Sequence, residues 1–215
     1  MIFENTSITG IENAIKGMRL PMCRNLQEVE RKSDTRFNKI GEKDMELAVR
    51  LVKYGEPHCK FLRMIHAQVC ITAPLYWWKE IDQYKIGTTT NSTSTMHKLA
   101  STPITRDCFE MDDFKNLEGI FLVQNNGSDD TDGVWYELIE NLEWLRWKYN
   151  ETKDKKYWKE LIRLLPESWL QTRMIDFNYS TIRNIYKQRK NHKLEEWHAF
   201  CEWVETLPYF NEFLK

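Results

Sequence analysis

The chain has 215 residues and a formal net charge of -1 at pH 7, and 41% of its residues are hydrophobic while 29% are charged. This composition supports a sizeable core and argues against global disorder, and the length fits one domain over residues 1–215. Because 31 Lys and Arg residues balance 32 Asp and Glu residues, no global basic surface indicates nucleic-acid binding. The many Trp, Tyr and Phe residues are interpreted as core packing.

The cysteines and histidines give no signal for a metal or for disulfides. Five Cys residues are scattered without a CxxC pair, and five His residues lack HxH or HExxH spacing, so we predict no metal site. The amino terminus has no secretory pattern, and no apolar run approaches the roughly 18 residues that span a bilayer. We therefore expect a cytoplasmic protein with reduced thiols and no membrane contact.

The first predicted elements are a helix, a strand and a second helix. The helix in EKDMELAVRLVKYGEP ends at Gly55, before Pro57. The segment KFLRMIHAQVCIT alternates, which predicts a strand with one apolar face and Arg63 as an exception; that face comprises Phe61, Ile65, Ala67, Val69 and Ile71. Thr72 is predicted to cap the next helix, with Pro74 in its first turn and Gly87 at its end.

The second half of the chain is predominantly helical. A polar connection, QNNGSDDTDG from Gln124 to Gly133, precedes an amphipathic helix whose apolar stripe is Trp135, Leu138, Ile139, Leu142 and Leu145. KKYWKELIRLLP is a further helix that ends at Pro166, and the closing segment from Ser180 forms one long helix or two abutting ones. The sequence thus predicts a mixed α+β fold with more helix than strand.

One segment contains an unusual concentration of hydroxyl groups. Seven of the eight residues from Thr88 to Thr95 are Ser or Thr, and only Asn91 interrupts them. Such side chains and nearby backbone amides can donate to phosphate oxygens, and Lys85 and Lys98 flank the run with positive charge. The segment is interpreted either as a ligand-binding loop or as an exposed, turn-rich loop.

A second candidate lies in NYSTIRNIYKQRKNHK. At helical spacing Arg183 and Lys187 are one turn apart, while Tyr186, Arg189 and Lys190 occupy adjoining faces. The segment is interpreted as a solvated basic face or as a group that holds a phosphate or carboxylate.

These segments together resemble the flavin-dependent thymidylate synthase family, most strongly over residues 42–99 and 161–202. ITAPLYWWKEIDQYKIGTTTNSTSTMHKL follows the layout of the family's strand, its helix that opens with Ala and Pro, and its Arg-His-Arg loop. Gln83, Tyr84 and Lys85 fall on Arg-His-Arg, so one of the three positions keeps its charge. Thr88, Thr90 with Asn91, Thr93, and Thr95 with Met96 fall on the family's Ser, Asn-Glu, Ser and Arg-Tyr positions, so the Glu and the Arg are lost.

The carboxyl-terminal segment LLPESWLQTRMIDFNYSTIRNIYKQR is similar to a second family motif. Asn178 and Asn184 match asparagines near the flavin, and Arg189 falls on the arginine that contacts the pyrimidine. Arg173 stands near another nucleotide-binding arginine, and Ser180 replaces a flavin-contacting one. The resemblance therefore implies FAD contacts at Lys85, Asn178 and Asn184. It implies nucleotide contacts at Thr88, Thr93, Thr95, Arg173 and Arg189, with Arg189 as the catalytic residue that activates the base.

The resemblance implies a mixed sheet flanked by long helices and a homotetramer with sites between subunits. As an enzyme, the protein would transfer hydride from flavin while modifying a pyrimidine nucleotide, without a cysteine nucleophile. The lost charged groups favour an alternative, a non-catalytic phage or mobile-element protein that sequesters a nucleotide or a nucleotide-derived signal. A domain that keeps only the scaffold is a third interpretation.

Overall fold

The computed structural model describes residues 1–111 and 132–214, with side chains in the second range described from residue 135. Its strands are β1 Ile2–Thr9, β2 His66–Pro74, β3 Thr88–Ser92 and β4 Leu170–Asn178. Its α-helices are α1 Ile11–Arg19, α2 Leu26–Lys32, α3 Glu42–Lys53, α4 Leu75–Ile81, α5 Thr95–Lys98, α6 Asp132–Thr152, α7 Lys155–Leu164, α8 Tyr179–Arg189, α9 Glu195–Glu205 and α10 Phe210–Leu214. The predicted α+β class, with more helix than strand, is confirmed.

The described strands form one sheet in the order β1-β2-β4-β3. In β2, Ala67, Val69 and Ile71 alternate with more exposed residues and are completely buried, as the period-two pattern predicted. The strand is shorter than predicted, because Phe61 and Arg63 lie in a 3₁₀ helix, Lys60–Met64, that precedes it. Arg63, the exception to the apolar pattern, is thus outside the strand, and so is Phe61, which was predicted to be on its apolar face.

The predicted cap at Thr72 is wrong. Thr72 lies within β2, and its hydroxyl is 2.7 Å from that of Thr172 on β4. Pro74 is the last residue of this strand, and the helix begins at the next residue. A β-branched threonine suits a pleated strand, and here its hydroxyl has a cross-strand partner instead of a helix amide.

The hydroxyl-rich run is a strand over most of its length, which corrects the prediction of a loop. Its first five residues form β3, the outermost strand beside β4. Threonine has high strand propensity, and an edge strand needs no apolar face, so the composition fits this position. The run then ends in α5, where the Ser94 Oγ accepts a hydrogen bond from the His97 amide at 3.1 Å.

The chain divides into two compact units. Unit 1 comprises residues 1–71, 80–91 and 173–215, and unit 2 comprises residues 72–79 and 92–172. The single-domain organisation stays a prediction. Most of the polar connection Gln124–Gly133 lies outside the described residues, and its last two residues begin α6.

The core of unit 2 confirms the apolar stripe predicted for α6. Leu142 and Leu145 are buried beside Leu161 of α7, and Trp135, Leu138 and Ile139 pack against the same cluster. Helix α7 ends at Leu164, close to the predicted stop at Pro166. The helical period of the sequence therefore located this interface correctly.

The core of unit 1 is rich in aromatic rings. Phe177, Trp197 and Phe200 are completely buried and meet edge to face, with ring centroids less than 6 Å apart for the pairs that Phe200 makes. The closing segment consists of two helices, α8 and α9, with the turn from Lys190 to Leu194 between them. Of the two arrangements left open by the sequence, the structure has the second.

A buried carboxylate fixes the amino-terminal part of unit 1. Asp44 of α3 is 0% exposed, and it pairs with the Arg19 guanidinium of α1. Its Oδ2 accepts hydrogen bonds from the hydroxyls of Ser33 and Thr35 at 2.6 Å each and from the amides of Asp34 and Thr35. A buried charge requires such complete pairing, and here the pairing joins α1, the segment after α2, and α3.

Candidate functional site

The residues between α4 and β3 form a turn that is held against the start of α8, all within unit 1. Gly87 has a φ of +74°, and a Cβ atom there would lie 2.0 Å from Asn178 Nδ2 and 2.7 Å from Thr181 Oγ1. Only glycine avoids both the strained backbone and this collision. The turn can therefore approach α8 closely because position 87 has no side chain.

Asn178 holds this turn and also begins α8. Its amide donates to the Gly87 carbonyl at 3.0 Å, and its side-chain Oδ1 accepts from the Thr181 amide at 2.9 Å. The Thr181 hydroxyl donates in turn to the Ile86 carbonyl at 2.7 Å. Asn178, which was predicted to contact flavin, therefore caps α8. Its side chain is largely covered, since the residue is only 8% exposed.

A cavity of about 430 Å³ opens beside this turn. It is lined by Ile81, Asp82, Lys85, Thr88, Thr90 and Ile175. Two of these, Lys85 and Thr88, were predicted site residues, and Lys85 is exposed. The Thr88 hydroxyl donates to the Tyr84 carbonyl at 2.6 Å, which fixes the strand to the end of the turn.

The charges at the cavity are unequally paired. Asp82 forms an ion pair with Arg173 Nη1 at 2.7 Å, so Arg173, a predicted nucleotide contact, has its charge compensated by a residue of the cavity lining. Among the described residues, the ammonium of Lys85 has no hydrogen bond or ion pair. The cavity therefore presents one free cation beside threonine hydroxyls.

Arg189, the predicted catalytic residue, is held by internal partners. Its Nη1 donates to Glu80 Oε2 at 2.9 Å, and its Nε donates to the Tyr84 hydroxyl at 2.8 Å. The guanidinium carbon lies 4.7 Å from the centre of the Trp197 ring and 5.6 Å from that of Tyr84. The side chain is 17% exposed, so most of its surface is covered by this chain.

Glu80 is the centre of this arrangement, which we call the Arg189 cluster: Glu80, Tyr84, Arg189, His192 and Trp197. The same Glu80 oxygen accepts from the Trp197 indole at 2.8 Å and lies 3.7 Å from His192 Nε2. Sequence analysis missed Glu80. Glu80 lies in α4 and Tyr84 in the turn that follows it, and their partner Arg189 is more than a hundred residues away in the sequence.

The remaining predicted residues lie elsewhere. Asn184 is exposed on α8, where its Oδ1 accepts from Gln188 Nε2 at 3.0 Å. Thr93 and Thr95 belong to unit 2: Thr93 bonds through its amide to the Thr172 carbonyl at 2.9 Å, and Thr95 is the first residue of α5. Within unit 1 the structure brings Lys85 and Thr88 together at the cavity and leaves Arg189 in its own cluster.

Solved structures identify the fold. The chain superposes over its full length on two crystal structures of the flavin-dependent thymidylate synthase ThyX from Helicobacter pylori, each in complex with FAD and dUMP. The TM-scores are 0.65 and 0.67, the identity is 19% in both cases, and 97% of each ThyX chain is covered. The chain has the flavin-dependent thymidylate synthase fold. The fold that the sequence resemblance implied is thereby confirmed.

The likeness to ThyX is one of structure. No protein-family model matches the sequence, and no curated protein matches it either. At 19% identity the ThyX fold can carry different side chains at its site, and in this chain Glu80 and Tyr84 engage the arginine that the resemblance assigned to the pyrimidine.

The described residues contain neither a metal-binding cluster nor a membrane-spanning helix. No group of three or more His, Cys, Asp or Glu residues in this part of the chain is placed to hold a metal ion. None of the helices in the same part has both the length and the hydropathy that a membrane span requires.

Proposed function

We propose that this protein binds a nucleotide in the cavity beside the α4–β3 turn, with the phosphate at Lys85. The observation that carries the proposal is the cavity itself, because its volume of about 430 Å³ falls within the range typical of small-molecule sites. Apolar side chains, Ile81 and Ile175, provide a surface for a base or sugar, and Lys85 and Thr90 provide polar contacts.

The electrostatics of the cavity favour an anion. Arg173 compensates the one carboxylate in the lining, Asp82, so the charge of Lys85 is not cancelled locally. A lysine ammonium is a compact point charge with three donors, suited to phosphate oxygens. The Thr90 hydroxyl has no hydrogen bond to other described residues and is free to donate to the same phosphate.

Between the two modes of action, the Arg189 cluster favours binding without catalysis. A base-activating arginine must direct its donors at the substrate, whereas Nε and Nη1 of Arg189 are directed at Tyr84 and Glu80. A protein that sequesters a nucleotide or a nucleotide-derived signal, as a phage or mobile element would use it, needs only the cavity.

Flavin-dependent modification of a pyrimidine nucleotide is the second candidate. It is supported by the FAD and dUMP present in the two ThyX structures. Of the three residues predicted for flavin, Lys85 and Asn184 are exposed and available, while Asn178 is committed to the α8 cap. Purified protein that carries flavin absorbance would favour this candidate, and colourless protein that ignores added FAD would count against it.

The test of nucleotide binding combines identification and affinity. Mass spectrometry of small molecules that co-purify with the protein would name the ligand class, and calorimetry with nucleoside monophosphates would measure Kd. The variant Lys85→Met should weaken binding about tenfold, the value of a charge-assisted hydrogen bond. Lys39→Met, an exposed lysine outside the cavity lining, should leave Kd unchanged.

Two outcomes would contradict the proposal: no nucleotide stabilises or binds the protein, or Lys85→Met and Lys39→Met bind equally well. Oligomeric state is a separate prediction. The resemblance implies a homotetramer, and sedimentation of the purified protein as a monomer at micromolar concentration would contradict it.

A further inference from the structure

A second group of cations lies on α8, and it shares no residue with the cavity lining. Arg183 and Lys187 are one turn apart, as the helical spacing predicted. Arg183, however, is not part of a solvated face, because it is only 8% exposed. Buried arginines require hydrogen-bond acceptors for their donors, and Arg183 is expected to have them as well.

The partners of Arg183 are incomplete. Its Nη1 lies 3.4 Å from Glu56 Oε1, a long contact for a charged pair, and the Glu56 side chain is 62% exposed. The Arg183 Nε atom is buried and has no hydrogen-bond partner among residues 1–111 and 132–214. Glu56 is also shared, since its other oxygen lies 3.9 Å from Arg63.

Lys187 adds to the imbalance. Its ammonium has no ion pair or hydrogen bond in the described part of the chain. Lys187 is exposed, but partial desolvation lowers the pKa of its ammonium, and the neighbouring positive charge of Arg183 lowers it further, while Glu56 opposes the shift. Within the described residues, Arg63, Arg183 and Lys187 thus lie around one carboxylate, that of Glu56, and the local charge is positive.

The other titratable group close to these cations does not compensate the charge. Cys59 is buried, and burial raises the pKa of its thiol, so the sulfur is protonated and neutral at pH 7. The thiol lies within 4 Å of the Leu51, Val52 and Gly55 carbonyls. The unbalanced charge must therefore be met by solvent or by an added anion.

We propose that Arg183, Lys187 and Arg63 form a second anion site that binds the phosphate group of a small molecule, with Glu56 as its internal substitute. A phosphate dianion has enough acceptor oxygens to replace the Glu56 contact and to bond to Lys187 as well. A guanidinium binds phosphate in a two-point geometry that one carboxylate oxygen at 3.4 Å does not provide. Glu56 is exposed and can leave without disturbing the core.

Calorimetric titration of the full chain with inorganic phosphate tests this inference. Glu56→Gln removes the competing charge and should tighten phosphate binding roughly threefold, the scale of an exposed ion pair. Lys187→Met should weaken binding about tenfold. Lys190→Met, a nearby exposed lysine at the end of the same helix, is the matched control and should leave the affinity unchanged. Acetate, which offers a single negative charge, should bind more weakly than phosphate.

Titrations in the Lys85→Met background separate this site from the proposed nucleotide cavity. Phosphate binding that persists in Lys85→Met and is weakened about tenfold in Lys187→Met supports the second site, whether or not a nucleotide binds in the cavity. Binding that is lost in Lys85→Met and retained in Lys187→Met would overturn it. Absence of phosphate binding in both the wild type and Glu56→Gln would overturn it too.

Discussion

The Arg189 cluster and the cavity both include residues of the same short stretch of chain, 80–91. The polar groups of the cluster are paired with one another, whereas the cavity is open to a ligand. In the cluster, Glu80 accepts from Nη1 of Arg189 and Tyr84 accepts from its Nε, and the guanidinium lies against the Trp197 ring. In the cavity, the Lys85 ammonium has no partner among the described residues, and the Thr90 hydroxyl is also free. Tyr84 is thus occupied by an internal partner, whereas the next residue, Lys85, is available to bind a ligand.

A chain can therefore keep the order of a family's motifs while the side chain at a given position has a different chemical role. A charge that is expected to meet a ligand can be neutralised by a single carboxylate from the neighbouring helix, as Glu80 does for Arg189. In the same stretch of chain, the positive charge of Lys85 has no partner among the described residues. The fold places the residues, and local pairing decides which of them can bind an anion.

Asp44 is a completely buried carboxylate whose partners all belong to this chain, so it is the extreme case of a closed site. Its replacement should have the largest effect on stability. Asp44→Asn leaves Arg19 without its charged partner and places an amide donor against other donors. We expect a loss of about 3 kcal/mol in the free energy of unfolding, measured by urea titration. Glu160→Gln, which alters an exposed pair with Arg163, is the control and should change little.

The same carboxylate predicts a dependence on pH. Burial raises the pKa of Asp44, but hydrogen bonds from Ser33 and Thr35 and the Arg19 charge outweigh it, and the net pKa lies below the ordinary 3.8. A depressed pKa contributes stability above the unfolded value, and this contribution is lost as the pH falls below about 3.8 through the folded pKa. Asp44→Asn should lack this component, and an unchanged acid profile would contradict the assignment.

A substitution in the turn that connects the Arg189 cluster and the cavity should have the second-largest effect on stability. Gly87→Ala introduces a Cβ atom 2.0 Å from Asn178 Nδ2 at a φ of +74°, which should cost about 2 kcal/mol of stability. Because the turn carries Lys85, we also expect weaker nucleotide binding in this variant. Wild-type stability in Gly87→Ala would contradict the close approach of this turn to Asn178.

Glu80→Gln should have the smallest effect on stability and distinguishes the closed region from the open one. The Glu80 carboxylate is 28% exposed, so its loss should cost only about 1 kcal/mol in thermal or urea unfolding. The substitution releases Arg189 from its charged partner. If the closed state of the cluster limits anion binding, Glu80→Gln should bind a nucleotide at least as tightly as the wild type. Weaker binding would show that Glu80 contacts the ligand directly.

The sequence predicted best those features that depend on local periodicity. The α6 stripe from Trp135 to Leu145 and the alternation in β2 follow from side-chain direction within one element, and both were confirmed apart from the start of β2. The α+β class followed from the order of the predicted elements, and the thymidylate synthase-like fold followed from the resemblance. In contrast, the threonine run was predicted to be a loop, because a polar edge strand has no apolar alternation to announce it.

The site was predicted only where its contacts are local. Lys85 and Thr88 were identified and do line one cavity. The pairing of Arg189 with Glu80 and of Arg173 with Asp82 joins residues about a hundred positions apart, and nothing in a single sequence specifies such a contact. The burial of Arg183 could not be predicted either, since helical spacing alone does not say which face packs inward.

The central claim is that a phosphate meets Lys85 in the cavity, and a two-by-two comparison of affinities tests it most directly. The Kd of a nucleoside monophosphate and of the matching nucleoside would be measured by calorimetry for the wild type and for Lys85→Met. The account predicts that the phosphate improves binding to the wild type by about tenfold and has little effect in Lys85→Met. The same phosphate benefit in both proteins would contradict it.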